Sequence, residues 1–166
     1  MTSPYRIIAV CTGNICRSPM AELMIKQALQ QHFSESAVEL DSAGTTSGEQ
    51  GNPIDPRAAS VLRRHGISES GQHRARKIRT EDLQRNDLVL ALDTDHAAWL
   101  RRQCSPQDSS KIHLLREFDP QAAPDEWGIA DPWYGELADF EQCYQLIAAA
   151  LPGIVEQVRC SVAGHV

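Results

Sequence analysis

The run Cys11-Thr12-Gly13-Asn14-Ile15-Cys16-Arg17-Ser18-Pro19 follows directly on the apolar stretch Ile7-Ile8-Ala9-Val10, and this junction limits the folds open to the chain. An apolar stretch followed within a few residues by glycine and asparagine reads as a buried strand and then a tight loop. Ser18 is a residue type that caps helices and Pro19 suits a first helical position, so a helix is expected to begin there. A loop joining a strand end to a helix N-terminus turns backbone N–H groups inward and forms a cradle for an oxyanion. Cys11 lies at the floor of that cradle and Arg17 at its rim. A thiolate nucleophile and a guanidinium fork suit attack on a bound phosphate monoester.

The remaining pattern repeats strand and helix. Tyr5–Val10 is the first strand, and Met20, Leu23, Met24 and Ala28 recur at helical spacing to about Phe33. Val38–Leu40 is a short second strand ending in Asp41-Ser42-Ala43-Gly44, and residues 45–54 are a polar loop. Asp55-Pro56 opens a second helix that runs to Gly66, and Thr80 begins a short one. Asp87–Leu92 and Ile112–Leu115 are strands, with a helix capped by Asp93 or Thr94 between them. Residues 119–135 form a long loop rich in Pro, Asp and Gly, a length that favours a functional role. Glu136–Leu151 is an amphipathic helix, expected to break at Pro152-Gly153 and resume to about Cys160. This order predicts an α/β fold: a four-stranded parallel sheet with helices on both faces, and the phosphate loop after strand 1. Ligands of such sheets sit at the carboxyl ends of strands, where Cys11 falls.

Composition narrows the function. The 166 residues suit one domain, residues 1–166, able to bury about 70% of the unfolded surface without staples. A net charge of −6 argues against broad nucleic-acid or anionic-membrane binding. The densest basic patch is Arg63, Arg64, Arg74, Arg76, Lys77 and Arg79. It reads as a solvated face, or else as a rim that attracts an acidic phosphoprotein. The five cysteines form neither a disulfide framework nor a zinc pattern, which points to a reducing compartment and no metal. Arg6 interrupts any early leader-like apolar run, and no stretch approaches a membrane span. The expected location is cytoplasmic, with leaderless export left open.

A bare Cys-x5-Arg spacing carries little weight without its context. Here Gly13 permits close backbone approach, and Asn14 tolerates a left-handed backbone. With that context the segment CTGNICRSP resembles the phosphate loop of the low-molecular-weight protein tyrosine phosphatases. DSAG (41–44), DPRA (55–58), HGI (65–67), HRAR (73–76) and DPWYG (131–135) resemble that family's other landmarks, in order, over nearly the whole chain.

The resemblance implies a cysteine-dependent hydrolase of phosphotyrosine monoesters that works through a phosphocysteine intermediate and needs no cofactor. Cys11 is then the nucleophile and Arg17 the bidentate phosphate clamp. Thr12, Gly13, Asn14, Ile15, Cys16 and Ser18 complete the loop, and Ser18 supports the thiolate. Asn14 is expected to fix the loop through Ser42, and the resemblance adds His73 to that network. Asp119, Asp125 and Asp131 are comparable acid candidates by sequence alone. The resemblance and the neighbouring Trp133-Tyr134 pair, a candidate substrate wall, favour Asp131. Cys16 is implied as the partner of Cys11 in a reversible disulfide under peroxide. Tyrosine-phosphorylated proteins are the implied substrates, and the implied state is a monomer with weak self-association in some members.

Two departures bear on substrate choice. The family often carries a large aromatic about four residues past Gly44, whereas this chain has Thr45-Thr46-Ser47-Gly48-Glu49-Gln50. Trp127 is a candidate replacement. Thr12 stands where many relatives have Leu. Three rival readings remain. A protein-arginine phosphatase of the same family tends to have Thr where this chain has Ile15. A thiol-dependent arsenate reductase needs relay cysteines, and residues 65–103 contain none. A phosphotyrosine-binding module would have lost a catalytic group, yet Cys11, Arg17, Ser18 and Asp131 are all present.

Overall fold

The computed structural model describes residues 3–163. Its sheet has four parallel strands in the order β2-β1-β3-β4. These are β1 (Tyr5–Cys11), β2 (Val38–Gly44), β3 (Leu88–Ala91) and β4 (Ile112–Leu114). β1 is central, which explains its unbroken apolar run: successive side chains alternate between two buried faces. Ile7, Ala9 and Cys11 face a core built with α1 (Arg17–Gln30), α2 (Pro56–Arg64) and α6 (Leu137–Ala163). Ile8 and Val10 face the opposite core, made with α3 (Thr80–Arg85) and α4 (Thr94–Gln103). A fifth short helix, α5 (Pro106–Ser109), precedes β4.

Several elements differ from the sequence expectation, each for a physical reason. β2 extends four residues past Leu40, because Asp41 to Gly44 stay in register with Ile8 to Cys11. The backbone ladder there overrides the polar side chains, and Gly44 is carried up beside the phosphate loop. α1 begins at Arg17 with Cys16 at its cap, so Ser18 and Pro19 lie inside the first turn and Ser18 is not the cap. Proline is tolerated there because first-turn N–H groups lack helical partners anyway. The same Ser-Pro signal does operate at Ser105, whose hydroxyl accepts from the Asp108 N–H at 3.2 Å and starts α5, a helix the sequence reading missed.

α6 does not break at Pro152-Gly153 but continues for 27 residues. Its buried face, including Phe140, Ile147, Ile154 and Val158, packs on the sheet side that holds α1 and α2, so tertiary burial outweighs the bond lost at proline. A Cβ at Gly153 would fall inside contact distance of the Phe118 carbonyl oxygen, so glycine lets the Leu115–Phe118 turn lie against the helix. By length and composition α6 is apolar enough to cross a membrane, contrary to the sequence expectation. Here it serves as a core helix. The long loop before α6 contains two 3-10 turns, Pro124–Glu126 and Pro132–Tyr134.

Candidate active site

The carboxyl end of β1 delivers Cys11 to the base of an open slot of about 220 Å³, floored by residues 11–17. Asn14 shapes this floor. It has a φ of 62°, a left-handed backbone that Asn accepts more readily than most residues. Its N–H donates to Cys11 Sγ at 3.3 Å. Its Nδ2 donates to Ser18 Oγ at 2.8 Å and Ser42 Oγ at 3.0 Å, and its Oδ1 accepts from the Arg76 N–H at 3.1 Å. His73 Nε2 lies 2.7 Å from the Asn14 carbonyl oxygen, which can only accept, so His73 carries its proton on Nε2. The expected Asn14–Ser42–His73 network is therefore assembled.

Hydroxyl directions follow from the same count. Ser18 Oγ accepts from Asn14 and lies 3.0 Å from Cys11 Sγ, against 3.4 Å from the Ala43 carbonyl. Its single proton points best at sulfur. Ser42 Oγ accepts from Asn14 and donates to Glu22 Oε1 at 2.6 Å. Burial raises the Glu22 pKa, and the Ser42 bond opposes that rise. Glu22 was not singled out from sequence; its one signal was a position four residues past Ser18, on the same face of α1.

Arg17 is 4% exposed despite its charge. Its Nη1 donates to the Ile129 carbonyl at 2.8 Å, and its Nη2 reaches Thr12 Oγ1 at 3.4 Å. Asp93 lies at 3.7 Å and Asp131 at 3.5 Å. This guanidinium is oriented from several sides before any anion arrives. Thr12 Oγ1 is also 2.8 Å from Nε2 of His96, a buried residue of α4 that sequence reasoning missed. Burial, and then the charge of Arg17, push the His96 pKa down to about 4, with Asp95, Asp93 and Asp131 pulling the other way. Cys16 is buried in the loop, and burial first, then Asp55 and Cys11, raise its thiol pKa well above the ordinary range.

The three acid candidates separate in space. Asp119 is buried, paired with Arg116 at 3.3 Å, and accepts from the Gln121 N–H at 2.9 Å. Asp125 lies in the exposed Pro124–Glu126 turn. Only Asp131, of the three, lines the slot; its Oδ1 accepts from the Trp133 N–H at 3.1 Å and leaves Oδ2 toward Arg17. Trp133 forms a wall, but Tyr134 is not part of it and stands 92% exposed. In a 3-10 turn successive side chains diverge by about 120°, so neighbours cannot share one wall. Trp127 does not supply the missing aromatic, since it packs against the core of α3 and α4. Thr46, Gly48 and Glu49 line that side instead. Within the basic patch, Arg76 is paired with Asp41 at 2.7 Å and Asp82 at 2.8 Å, and Lys77 lies over Trp99.

The arrangement suits an in-line displacement at phosphorus, with sulfur below, N–H and guanidinium donors around the equatorial oxygens and a carboxyl at the rim. Comparison with known proteins agrees. The sequence model described as "Low molecular weight phosphotyrosine protein phosphatase" matches residues 6–163. Low molecular weight protein-tyrosine phosphatase A of Mycobacterium tuberculosis (strain ATCC 25618 / H37Rv) is 42% identical over 158 residues, 95% of this chain and 94% of that protein. The Homo sapiens low molecular weight phosphotyrosine protein phosphatase is 41% identical, covering 92% of this chain and 95% of its own. A crystal structure of a protein tyrosine phosphatase from Entamoeba histolytica, with Hepes in its active site, superimposes with a TM-score of 0.87 at 28% identity, covering 95% of this chain and 98% of that one.

Proposed function

The chain belongs to the low molecular weight phosphotyrosine protein phosphatase family and is a cysteine-dependent protein tyrosine phosphatase; we propose that Cys11, Arg17 and Asp131 carry its chemistry. The observation that carries this assignment is the Cys11 sulfur held by the Asn14 N–H and Ser18 hydroxyl in one slot with Arg17 and Asp131. Cys11 Sγ attacks phosphorus, an S–P bond forms and the P–O bond to the aryl group breaks. The Asp131 carboxyl gives its proton to the leaving phenolate. Water then attacks phosphorus, Asp131 takes the water proton, the S–P bond breaks and phosphate departs with the thiolate restored. Arg17 releases its contacts to Ile129 and Asp131 in favour of two phosphate oxygens, and Ser18 stabilises the departing sulfur.

Ile15 supports an aryl substrate over a phosphoguanidinium, since it presents a branched apolar side chain to the slot. Trp133 supplies one ring wall, and Thr46, Gly48 and Glu49 line the side where the family often places another aromatic. Phosphoproteins are the substrate class. We further read the chain as a single domain over residues 1–166, cytoplasmic with leaderless export left open, a monomer open to weak self-association, with no nucleic-acid partner and no membrane insertion. Under peroxide, oxidation of the Cys11 thiolate to a sulfenic acid, followed by attack of Cys16 sulfur with loss of water, would give a reversible disulfide.

Steady-state hydrolysis of a phosphotyrosyl and a phosphoarginyl peptide, in EDTA, tests the assignment. Wild type is expected to prefer phosphotyrosine. Cys11→Ser should abolish turnover while retaining phosphate binding, and Arg17→Ala should lose both. Asp131→Ala should slow aryl phosphates by about 10²-fold or more. An unchanged rate removes Asp131 from the mechanism, and a preference for phosphoarginine overturns the reading of Ile15.

A further inference from the structure

Arg57 lies outside the phosphate cradle, in the first turn of α2, yet its guanidinium connects the two loops that must cooperate. Nε donates to Asp55 Oδ1 at 3.1 Å, and Nη2 to Asp55 Oδ2 at 2.9 Å. Nη1 donates to the Gly135 carbonyl at 3.0 Å. Asp55 is itself buried, and its N–H donates to the Ile15 carbonyl at 2.8 Å, inside the nucleophile loop. Gly135 closes the Pro132–Tyr134 turn that Asp131 caps. The guanidinium also sits 4.5 Å from the Phe140 ring centroid and 5.6 Å from that of Trp133.

Few hydrogen bonds hold the acid loop from outside. Ile129 is tied to Leu92 and to Arg17, but Trp133 bonds to Asp131 and the Gly135 N–H to Pro132, all within the loop. Among the described residues, the bond from Arg57 to Gly135 is the hydrogen bond that reaches residues 130–135 from another element. Asp131 contributes only a longer ion pair to Arg17, at 3.5 Å. When a substrate phosphate takes over Arg17, that contact weakens and the Arg57 bond remains.

We propose that Arg57 is a positioning residue that braces the acid loop against the nucleophile loop, so that Asp131 meets the leaving-group oxygen at the right height above Cys11. The proposal rests on Asp131 being the general acid. An arginine is needed because three N–H groups in one plane serve a carboxylate and a carbonyl at once, which an ammonium cannot reproduce. Arg57 touches neither phosphate nor the reacting atoms, so its effect is confined to proton transfer.

The test uses kcat/KM, which reports P–O cleavage, over aryl phosphates from dinitrophenyl through nitrophenyl to phenyl phosphate. Acid assistance matters most for the poorest leaving group. Arg57→Ala should lose about tenfold or more on phenyl phosphate and under about twofold on the dinitrophenyl ester, and Arg57→Lys should recover only part of the loss. Inhibition by inorganic phosphate, a probe of the cradle, should change by less than about twofold. In the Asp131→Ala background, Arg57→Ala should add nothing. A uniform loss across the series in both Arg57 variants, or a loss additive with Asp131→Ala, overturns the role of Arg57. A flat series in Asp131→Ala alone shows instead that Asp131 is not the acid, and the proposal falls with that reading.

Discussion

Lowering the pH should cost this protein stability through His96, by an amount that can be worked from its surroundings. His96 is 1% exposed, its Nε2 bonds to Thr12, and its Nδ1 is buried without a partner among the described residues. Burial and the nearby Arg17 charge depress its pKa from 6.5 to about 4, while Asp95, Asp93 and Asp131 oppose the shift. The unfolded chain therefore takes up a proton as pH falls below the ordinary histidine value, and the folded chain does not until near 4. Stability is full above that window and is lost on the way down. The gap corresponds to about 3 kcal/mol once pH is below both values, and about 2.5 kcal/mol is already lost by about pH 4.5. Urea unfolding between about pH 8 and pH 4.5 should show His96→Asn losing about 2.5 kcal/mol less than wild type. The comparison cancels carboxylates that titrate in both proteins. Parallel pH profiles, or a His96 ring resonance that titrates near the ordinary value, would refute the reasoning.

Two further substitutions separate competing effects. Asn14→Ala should be about 1 kcal/mol less stable than Asn14→Gly in denaturant unfolding, because alanine is strained at the positive φ, and both should lose turnover with the Ser18 and Ser42 bonds. An alanine variant as stable as the glycine variant would show that the loop relaxes. Gly153→Ala should gain about 1 kcal/mol in helix propensity but lose about 1–3 kcal/mol to the clash with the Phe118 carbonyl, lowering Tm; a raised Tm would mean that α6 moves freely.

Much of the site was legible because its elements are contiguous. Cys11 to Arg17 lie within one loop, and the strand before them and the helix after them have strong local signals. Where the reading failed, a local preference met a tertiary contact. Ser18 looks like a cap, but its hydroxyl is drawn to Cys11 and the helix starts one residue before it. Pro152 looks like a break, but the apolar face of α6 holds the helix together across it. Tyr134 looks like a wall beside Trp133 until the turn geometry sends it to solvent.

From the sequence alone came the phosphate-loop segment, the alternating α/β order and, through resemblance, the role proposed for Asp131. Periodicity and loop chemistry act over a few residues, and those features lie within that range. The fold alone decided which aspartate shares the slot with Arg17, and which residues support it from afar. Glu22 and His96 have no distinctive neighbours in the chain, and the DPRA landmark that holds Arg57 gives no sign of its bond to Gly135, yet each meets the site through parallel strands that bring four separate segments to one edge of the sheet. Such support depends on side-chain distances set by packing between elements far apart in sequence, and no local pattern encodes them.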